Sequence, residues 1–443
     1  MYKQLIVPAS EVHDTLRRHL LVDGYPMVVD LERSSGSTIR DARTGKEYLD
    51  FFSFFASNPI GMNHPGMADA AIRERLAQAA VTKVSNADYY TSFMAEFVAT
   101  LERTAAPADF PYYFFVDGGA LAVENGMKTA FDWKVRRNLS RGKGELGTQV
   151  MHLTRAFHGR SGYTLSVTNT DPIKTQYFPQ FNWPRIEAPA MRFPLEGDNL
   201  AQTIAAEERA LSAARRAFDE HPDDIAAILI EPIQAEGGDN HFRVEFLKAL
   251  RELANEREAL LIFDEVQTGL GLTGTWWAYQ QLEVTPDIIC FAKKMQVGGI
   301  FVNRRIDDVA DHVFKKSSRI NSTWGASLVD MVRCTRILEI IEQDKVLDNV
   351  LARGQELLAG LQGIQGRFSG QVSNARGRGL MCAMDLPTPE QRRDVIRTCF
   401  EDGMVVLPCG TNSVRFRPTL TVSQEVIAEA VKRLEKAVAK VVG

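Results

Sequence analysis

Leu260-Leu-Ile-Phe263, followed at once by Asp264-Glu-Val-Gln267, is the stretch that decides how this chain folds. Four apolar residues in a row, with no polar alternation, suit a strand covered on both faces. The carboxylate that ends it is costly to bury unless a cation meets it. Upstream, Val244 to Arg257 places Phe246, Leu247, Leu250, Leu253 and Ala254 on one face at helical spacing. Further back, Ile225-Ala-Ala-Ile-Leu-Ile-Glu231 and Val150-Met-His-Leu153 read as two more buried strands. Tyr112-Tyr-Phe-Phe-Val-Asp117 runs into Gly118-Gly119, and Ala120 to Arg137 is rich in helix formers, which makes strand, glycine turn and helix. Downstream, Pro286-Asp-Ile-Ile-Cys-Phe-Ala292 supplies another strand, ending at Lys293. Strands separated by helices predict an α/β fold with a mostly parallel sheet, whose ligands sit beyond the carboxyl ends of the strands.

The flanks differ. Beyond Asp330 the pattern predicts one long helix, Met331 to about Gly360, then a glycine-rich passage with Gly377-Arg-Gly379. A final amphipathic helix from Ser423 carries Val426, Ile427, Ala430, Val431 and Leu434 on one face. The first 75 residues, with Phe51-Phe-Ser-Phe-Phe55 and the turns Asn58-Pro59 and Asn63-His-Pro-Gly66, read as an arm packing with that C-terminal part. The expected division is an arm over 1–75, a large domain over 76–329 and a smaller one over 330–443.

Length and composition agree. A chain of 443 residues, 45% hydrophobic and 24% charged, exceeds what one core usually serves, so it has room to bury a cofactor or a subunit interface. A net charge of -4 with no block of one sign gives no reason to expect nucleic acid or an anionic membrane as partner. Cys290, Cys334, Cys382, Cys399 and Cys409 form no CxxC pair and no ligand spacing with the histidines, which favours free thiols in a reducing compartment and no metal site. The N-terminus lacks the pattern of a signal peptide, and no apolar run approaches the roughly 20 residues of a membrane span. The expectation is a soluble, cytoplasmic protein.

Gly269-Leu-Gly271-Leu-Thr-Gly274 fits the dinucleotide pattern GxGxxG, with Asp287 beyond it. The context is wrong: Asp264-Glu-Val-Gln267 intervenes between strand and glycines, and Asp287 precedes its strand instead of ending one. A glycine loop needing positive φ is the better reading. The strand ends carry a different chemistry. Gly118-Gly119-Ala120 opens a helix, where free N–H groups and the dipole attract an anion. Asp264 suits a protonated pyridine nitrogen, and a buried Lys293 suits a Schiff-base amine. A phosphate cradle, a carboxylate and a lysine are together the handles for pyridoxal 5′-phosphate.

These residues also carry a resemblance that runs through nearly the whole chain. Asp264-Glu-Val-Gln267 with Lys293 and then Asn321-Ser-Thr323-Trp324 resembles the class III (ω-) aminotransferases of fold type I. Phe115 to Asn125, Phe157-His-Gly-Arg-Ser-Gly-Tyr163, Glu231-Pro-Ile-Gln-Ala-Glu-Gly-Gly-Asp239 and Ser318 to Gly325 look most like the L-lysine 6-aminotransferases within that family. The resemblance implies a seven-stranded, mostly parallel sheet in a large domain and a smaller α+β domain. It also implies roles. Lys293 holds the cofactor aldehyde and then moves the substrate proton; Asp264 keeps the ring nitrogen protonated. Phe157 and Val266 sandwich the ring, Gln267 bonds its phenolic oxygen, and Gly119 with Ala120 holds the phosphate. Thr323 reaches the phosphate of a neighbouring subunit, so a homodimer is implied. Because the sequence reads Lys293-Lys294, either lysine is a candidate nucleophile; matching the family's single lysine five residues after Ile288 points to Lys293.

The same resemblance implies L-lysine as amino donor and 2-oxoglutarate as acceptor, giving L-glutamate and 2-aminoadipate 6-semialdehyde, which cyclises to a piperideine carboxylate; the alternatives are another ω-aminotransferase, with 4-aminobutyrate or ornithine as donor, and an aminomutase on the same cofactor. Arginine is the natural planar clamp for carboxylates, and the match assigns that role to Arg160 and Arg415. Glu236 matches the acid that pairs with Arg415, either swinging aside for the keto acid or forming a fixed ion pair. Trp276-Trp277 and the aromatic run at Phe51 either line a substrate channel or pack in the core.

Overall fold

Alternate residues of the central strands face opposite ways, and that explains their uninterrupted apolar runs. In the computed structural model, which describes residues 5–443, Ile228 and Ile230 pack with Phe246, Leu247 and Leu250 of helix Val244–Glu256 on one face. Ala227 and Leu229 pack with Val123, Met127 and Trp133 of helix Gly119–Ser140 on the other. Each such fully buried large side chain contributes about 1.5–3 kcal/mol. The first four residues of the expected arm, and of the N-terminal stretch read for a signal, lie outside the described residues.

Seven strands form the main sheet in the order Tyr112–Val116, Gly298–Val302, Ile288–Phe291, Leu260–Asp264, Ile225–Ile230, Gln149–Leu153, Arg185–Ile186. All pairings are parallel except the two made by Gly298–Val302, which runs against both neighbours. The parallel strands therefore deliver Val116, Phe291, Asp264 and Ile230 to one rim of the sheet.

The C-terminal part holds an antiparallel sheet, ordered Ser373–Arg378, Met381–Asp385, Ser413–Phe416, Leu407–Cys409, with helices Pro389–Glu401 and Gln424–Val442. The arm joins it through strand: Glu47–Asp50 pairs with Thr38–Arg40 on one side and with Met404–Val405 on the other. The single long helix expected after Asp330 is two helices, Leu328–Gln343 and Val346–Arg367. Lys345, at φ 51° and ψ 43°, breaks it in the left-handed region, a conformation with no signature in its own residue type. No helix of the described residues is long and apolar enough to cross a membrane.

The aromatic run of the arm splits. Phe51 is fully buried, whereas Phe54 and Phe55 are exposed on a turn in which Ser53, Phe54, Phe55 and Ala56 all have positive φ. The turn is anchored by Asp50, whose Oδ1 accepts from the Phe52 and Ser53 N–H groups, and by Ser53 Oγ, which donates to the Arg417 carbonyl. Of the tryptophan pair, Trp277 is core: it is fully buried and its Nε1 donates to the Ala105 carbonyl. The GxGxxG segment opens no helix; it is a buried loop in which Gly271 and Gly274 have φ of 89° and 95°.

Candidate active site

A cavity of about 580 Å³ opens at that rim, lined by Gly118–Ala120, Phe157–Arg160, Glu231, Glu236, Asp264, Val266, Gln267 and Lys293, with Ser57 from the arm. Its anion end is helix Gly119–Ser140, which starts from Gly118 at φ 87° and has no side chain capping its first turn. A Cβ on Gly119 would lie 2.8 Å from Val266 Cγ1. Only glycine fits there, so the free N–H groups stay open to the cavity.

Asp264 is held by two donors: the Val266 N–H to Oδ1 at 3.0 Å and His158 Nδ1 to Oδ2 at 2.7 Å. His158 is itself buried, its own N–H donating to Thr168 Oγ1 at 2.9 Å. It sits between Phe157 and Arg160, the two residues of its string to which the sequence reading gave roles. Glu231 is a second group to which the sequence reading gave no role. Its carboxylate accepts from the Phe157 and Ala235 N–H groups, both at 3.0 Å, and burial pushes its pKa up to about 7.

The two lysines separate cleanly. Lys293 lines the cavity, and burial pulls its pKa down to about 8, opposed by Asp264 and assisted by Arg415. Lys294 is buried away from the cavity lining, its Nζ donating to the carbonyls of Gln267 at 2.8 Å and Ala56 at 3.2 Å. Both lie in the one-turn 3₁₀ segment Lys293–Met295 just past the strand, so strand alternation alone does not sort them.

Gln267 Oε1 is occupied, accepting from Arg415 Nη1 at 3.2 Å and Arg417 Nε at 3.0 Å. This leaves the amide N–H₂ as the end free to donate into the cavity. Arg417 is fully buried and bidentate on Asp239, at 2.6 and 2.9 Å, a pair the sequence reading did not single out. Arg415 lies buried behind Gln267, and among the described residues its Nε has no partner. Arg160 is exposed at the mouth, its guanidinium 6.0 Å from the Phe157 ring centre.

One site residue, Glu236, is not where the sequence reading puts it, and a second, Thr323, lies away from its own chain's cofactor cavity. Glu236 lines the cavity, but its carboxylate bonds Lys174 and, at 3.1 Å, Thr170 Oγ1; the expected Arg415 pair is absent. Lys174 supplies the counter-ion there, while Arg415 is held on Gln267. Thr323 is exposed and outside the cavity of its own chain, in a surface segment whose carbonyl accepts from Ser85 Oγ. Among the described residues no cluster of ligand-type side chains suits a metal, and all five cysteines are free and buried.

The geometry agrees with what the chain is similar to. It matches the class-III aminotransferase family over residues 21–438. The L-lysine-epsilon aminotransferase of Mycobacterium tuberculosis is 53% identical over 430 residues, covering 97% of this chain and 95% of that protein. The Streptomyces clavuligerus protein of the same name is 50% identical over 438 residues, covering 98% and 95%. A solved structure of lysine aminotransferase from M. tuberculosis in the internal aldimine form superposes with a TM-score of 0.96 at 52% identity, over 98% of this chain and 100% of that one.

The chain belongs to the class-III aminotransferases, and is therefore a pyridoxal-phosphate enzyme of fold type I. The residues present fit that cofactor: an uncapped helix start for the phosphate, a fixed carboxylate for the ring nitrogen and an amine of lowered pKa for the aldehyde.

Proposed function

We propose that the protein moves the ε-amino group of L-lysine to 2-oxoglutarate, yielding L-glutamate and 2-aminoadipate 6-semialdehyde, which cyclises to a piperideine carboxylate. The observation that carries this reading is a pair of arginines at two depths, Arg160 exposed at the cavity mouth and Arg415 buried behind Gln267. A donor reacting at its far amine and an acceptor reacting next to a carboxylate need clamps at different distances. Arg160 serves the donor's α-carboxylate and the acceptor's distal one, and Arg415 serves the acceptor's α-carboxylate. The names of the relatives support lysine as the donor.

Bound pyridoxal phosphate supplies an electron-withdrawing ring and a temporary seat for the amino group. The chain does the rest. Asp264, fixed by His158, keeps a positive charge on the ring nitrogen. Gln267 would offer its amide N–H to the ring oxygen, and Phe157 and Val266 would hold the ring. Lys293 Nζ takes the proton from the reacting carbon of the donor, a role its lowered pKa suits near neutral pH. Lys294, bound to two carbonyls, is structural.

The assembly we propose is a homodimer in which Thr323 serves the partner's phosphate site, in keeping with its exposed position. A cytoplasmic location is in keeping with five free thiols. The division at about 75 and 330 places the cofactor residues in the middle part and Arg415 in the last. The test is a donor screen with lysine, ornithine and 4-aminobutyrate against 2-oxoglutarate, read as glutamate formed. Lysine is expected to lead by about tenfold or more in kcat/KM, a discrimination of about 1.4 kcal/mol. Equal or better use of ornithine or 4-aminobutyrate replaces the donor, and no glutamate from any of the three removes the acceptor.

A further inference from the structure

Lys174 ends the one-turn segment Pro172–Lys174, and its ammonium reaches the cavity wall 5.5 Å from the Phe157 ring centre. There it bonds the Glu236 carboxylate and, at 3.3 Å, Thr170 Oγ1. Only 18% of the Lys174 side chain and 24% of the Glu236 side chain are accessible, so the pair is largely withdrawn from water. Burial pulls the Lys174 pKa down; Arg160 and Arg415 both push the same way, against Asp171. This ammonium thus sits within the field of both arginines.

Arg415 has no acid upon it. One amine rests on the neutral Gln267 oxygen, and its buried Nε has no partner among the described residues. A buried guanidinium in that condition draws a carboxylate within reach, and Glu236 lines the cavity whose wall includes Gln267, the residue Arg415 bonds. We propose that Lys174 determines acceptor specificity: by holding Glu236 as its counter-ion, it keeps Arg415 free for the second carboxylate of a dicarboxylate acceptor.

The charges balance on that reading. With Glu236 matched by Lys174, neither Arg160 nor Arg415 is in a salt bridge among the described residues, Asp239 and Glu231 acting on Arg415 only from a distance, and a five-carbon dicarboxylate brings one carboxylate for each. Without Lys174, Glu236 would turn to Arg415 and leave one cation for two carboxylates. A lysine suits this post better than an arginine, because its point charge on a flexible stem is released more readily than a bidentate fork. The proposal rests on the acceptor reading given above.

The test uses the holoenzyme, its Lys174→Met, Lys174→Arg and Glu236→Gln variants, and the double variant Lys174→Met with Glu236→Gln. Glutarate, an unreactive dicarboxylate, is titrated by calorimetry; donor and acceptor half-reactions are followed separately by cofactor absorbance. Lys174→Met is expected to weaken glutarate and raise the KM for 2-oxoglutarate by about tenfold or more. Its lysine half-reaction is expected to stay within about twofold of wild type. Lys174→Arg restores acceptor binding in part, and the effect of Lys174→Met vanishes in the Glu236→Gln background. Equal loss in both half-reactions, unchanged glutarate affinity, or a loss that persists without the Glu236 charge overturns the proposal alone. A wild-type protein that neither binds glutarate nor turns over 2-oxoglutarate overturns the acceptor reading and this proposal with it.

Discussion

Lys293 is a base made weaker by its surroundings, and the direction of that change has a measurable result. Burial lowers its pKa from 10.5 to about 8 by disfavouring the charged form. The neutral amine is the nucleophile toward the cofactor aldehyde. The rate at which cofactor-free protein takes up pyridoxal phosphate should therefore rise about tenfold per pH unit below pH 8 and level off above it. A rate that keeps climbing to about pH 10 would show an ordinary lysine. Stopped-flow absorbance checks this, and a Lys293→Ala protein should show no lysine-linked absorbance at all. At this scale the residues at strand ends were legible: Asp264, Lys293 and Gly119 follow short, distinctive strings. Partners far apart in the chain were not. Lys174 lies 62 residues from Glu236, and Asp239 lies 178 from Arg417, and no local pattern announces either pair.

Among the elements, strands with long apolar runs were readable, and those without them were not. Arg185–Ile186 is two residues long, and Gly298–Val302 begins with two glycines, which are poor strand formers. The break between Leu328–Gln343 and Val346–Arg367 was hidden for a different reason: the hydrophobic spacing continues across it. Lys345 is exposed there and pays the steric cost of a left-handed residue with a Cβ. Lys345→Gly is expected to stabilise the protein by about 0.5–1 kcal/mol, since glycine adopts that conformation without the clash. The check is a higher denaturant midpoint with unchanged slope; a lower midpoint would place the bend under the control of the lysine side chain instead.

For the whole molecule, the exposed aromatic residues have one economical explanation. Tyr89 and Tyr90 are 72% and 82% accessible, and Phe54, Phe55 and Trp324 are exposed as well. The segment around Tyr89 is tied to that of Thr323 and Trp324 through Asn86, whose N–H donates to the Trp324 carbonyl and whose side chain donates to that of Ala326. A monomer seldom leaves so much apolar surface open. Sedimentation should give twice the mass of one chain. The double variant Tyr90→Glu with Trp324→Glu should halve that mass and weaken cofactor retention by about tenfold, through loss of the partner's Thr323. A wild-type monomer that holds cofactor fully would end the role of Thr323.

The reversed strand Gly298–Val302 lies between Tyr112–Val116, which leads to the phosphate cradle, and Ile288–Phe291, which leads to Lys293. Cradle and amine are thus two inter-strand steps apart, about 9–10 Å. Main-chain ladders, and no side chain, set the gauge of the cleft. Substitutions along the rim can retune what is gripped, but a wider or narrower cofactor would require adding or removing a whole strand.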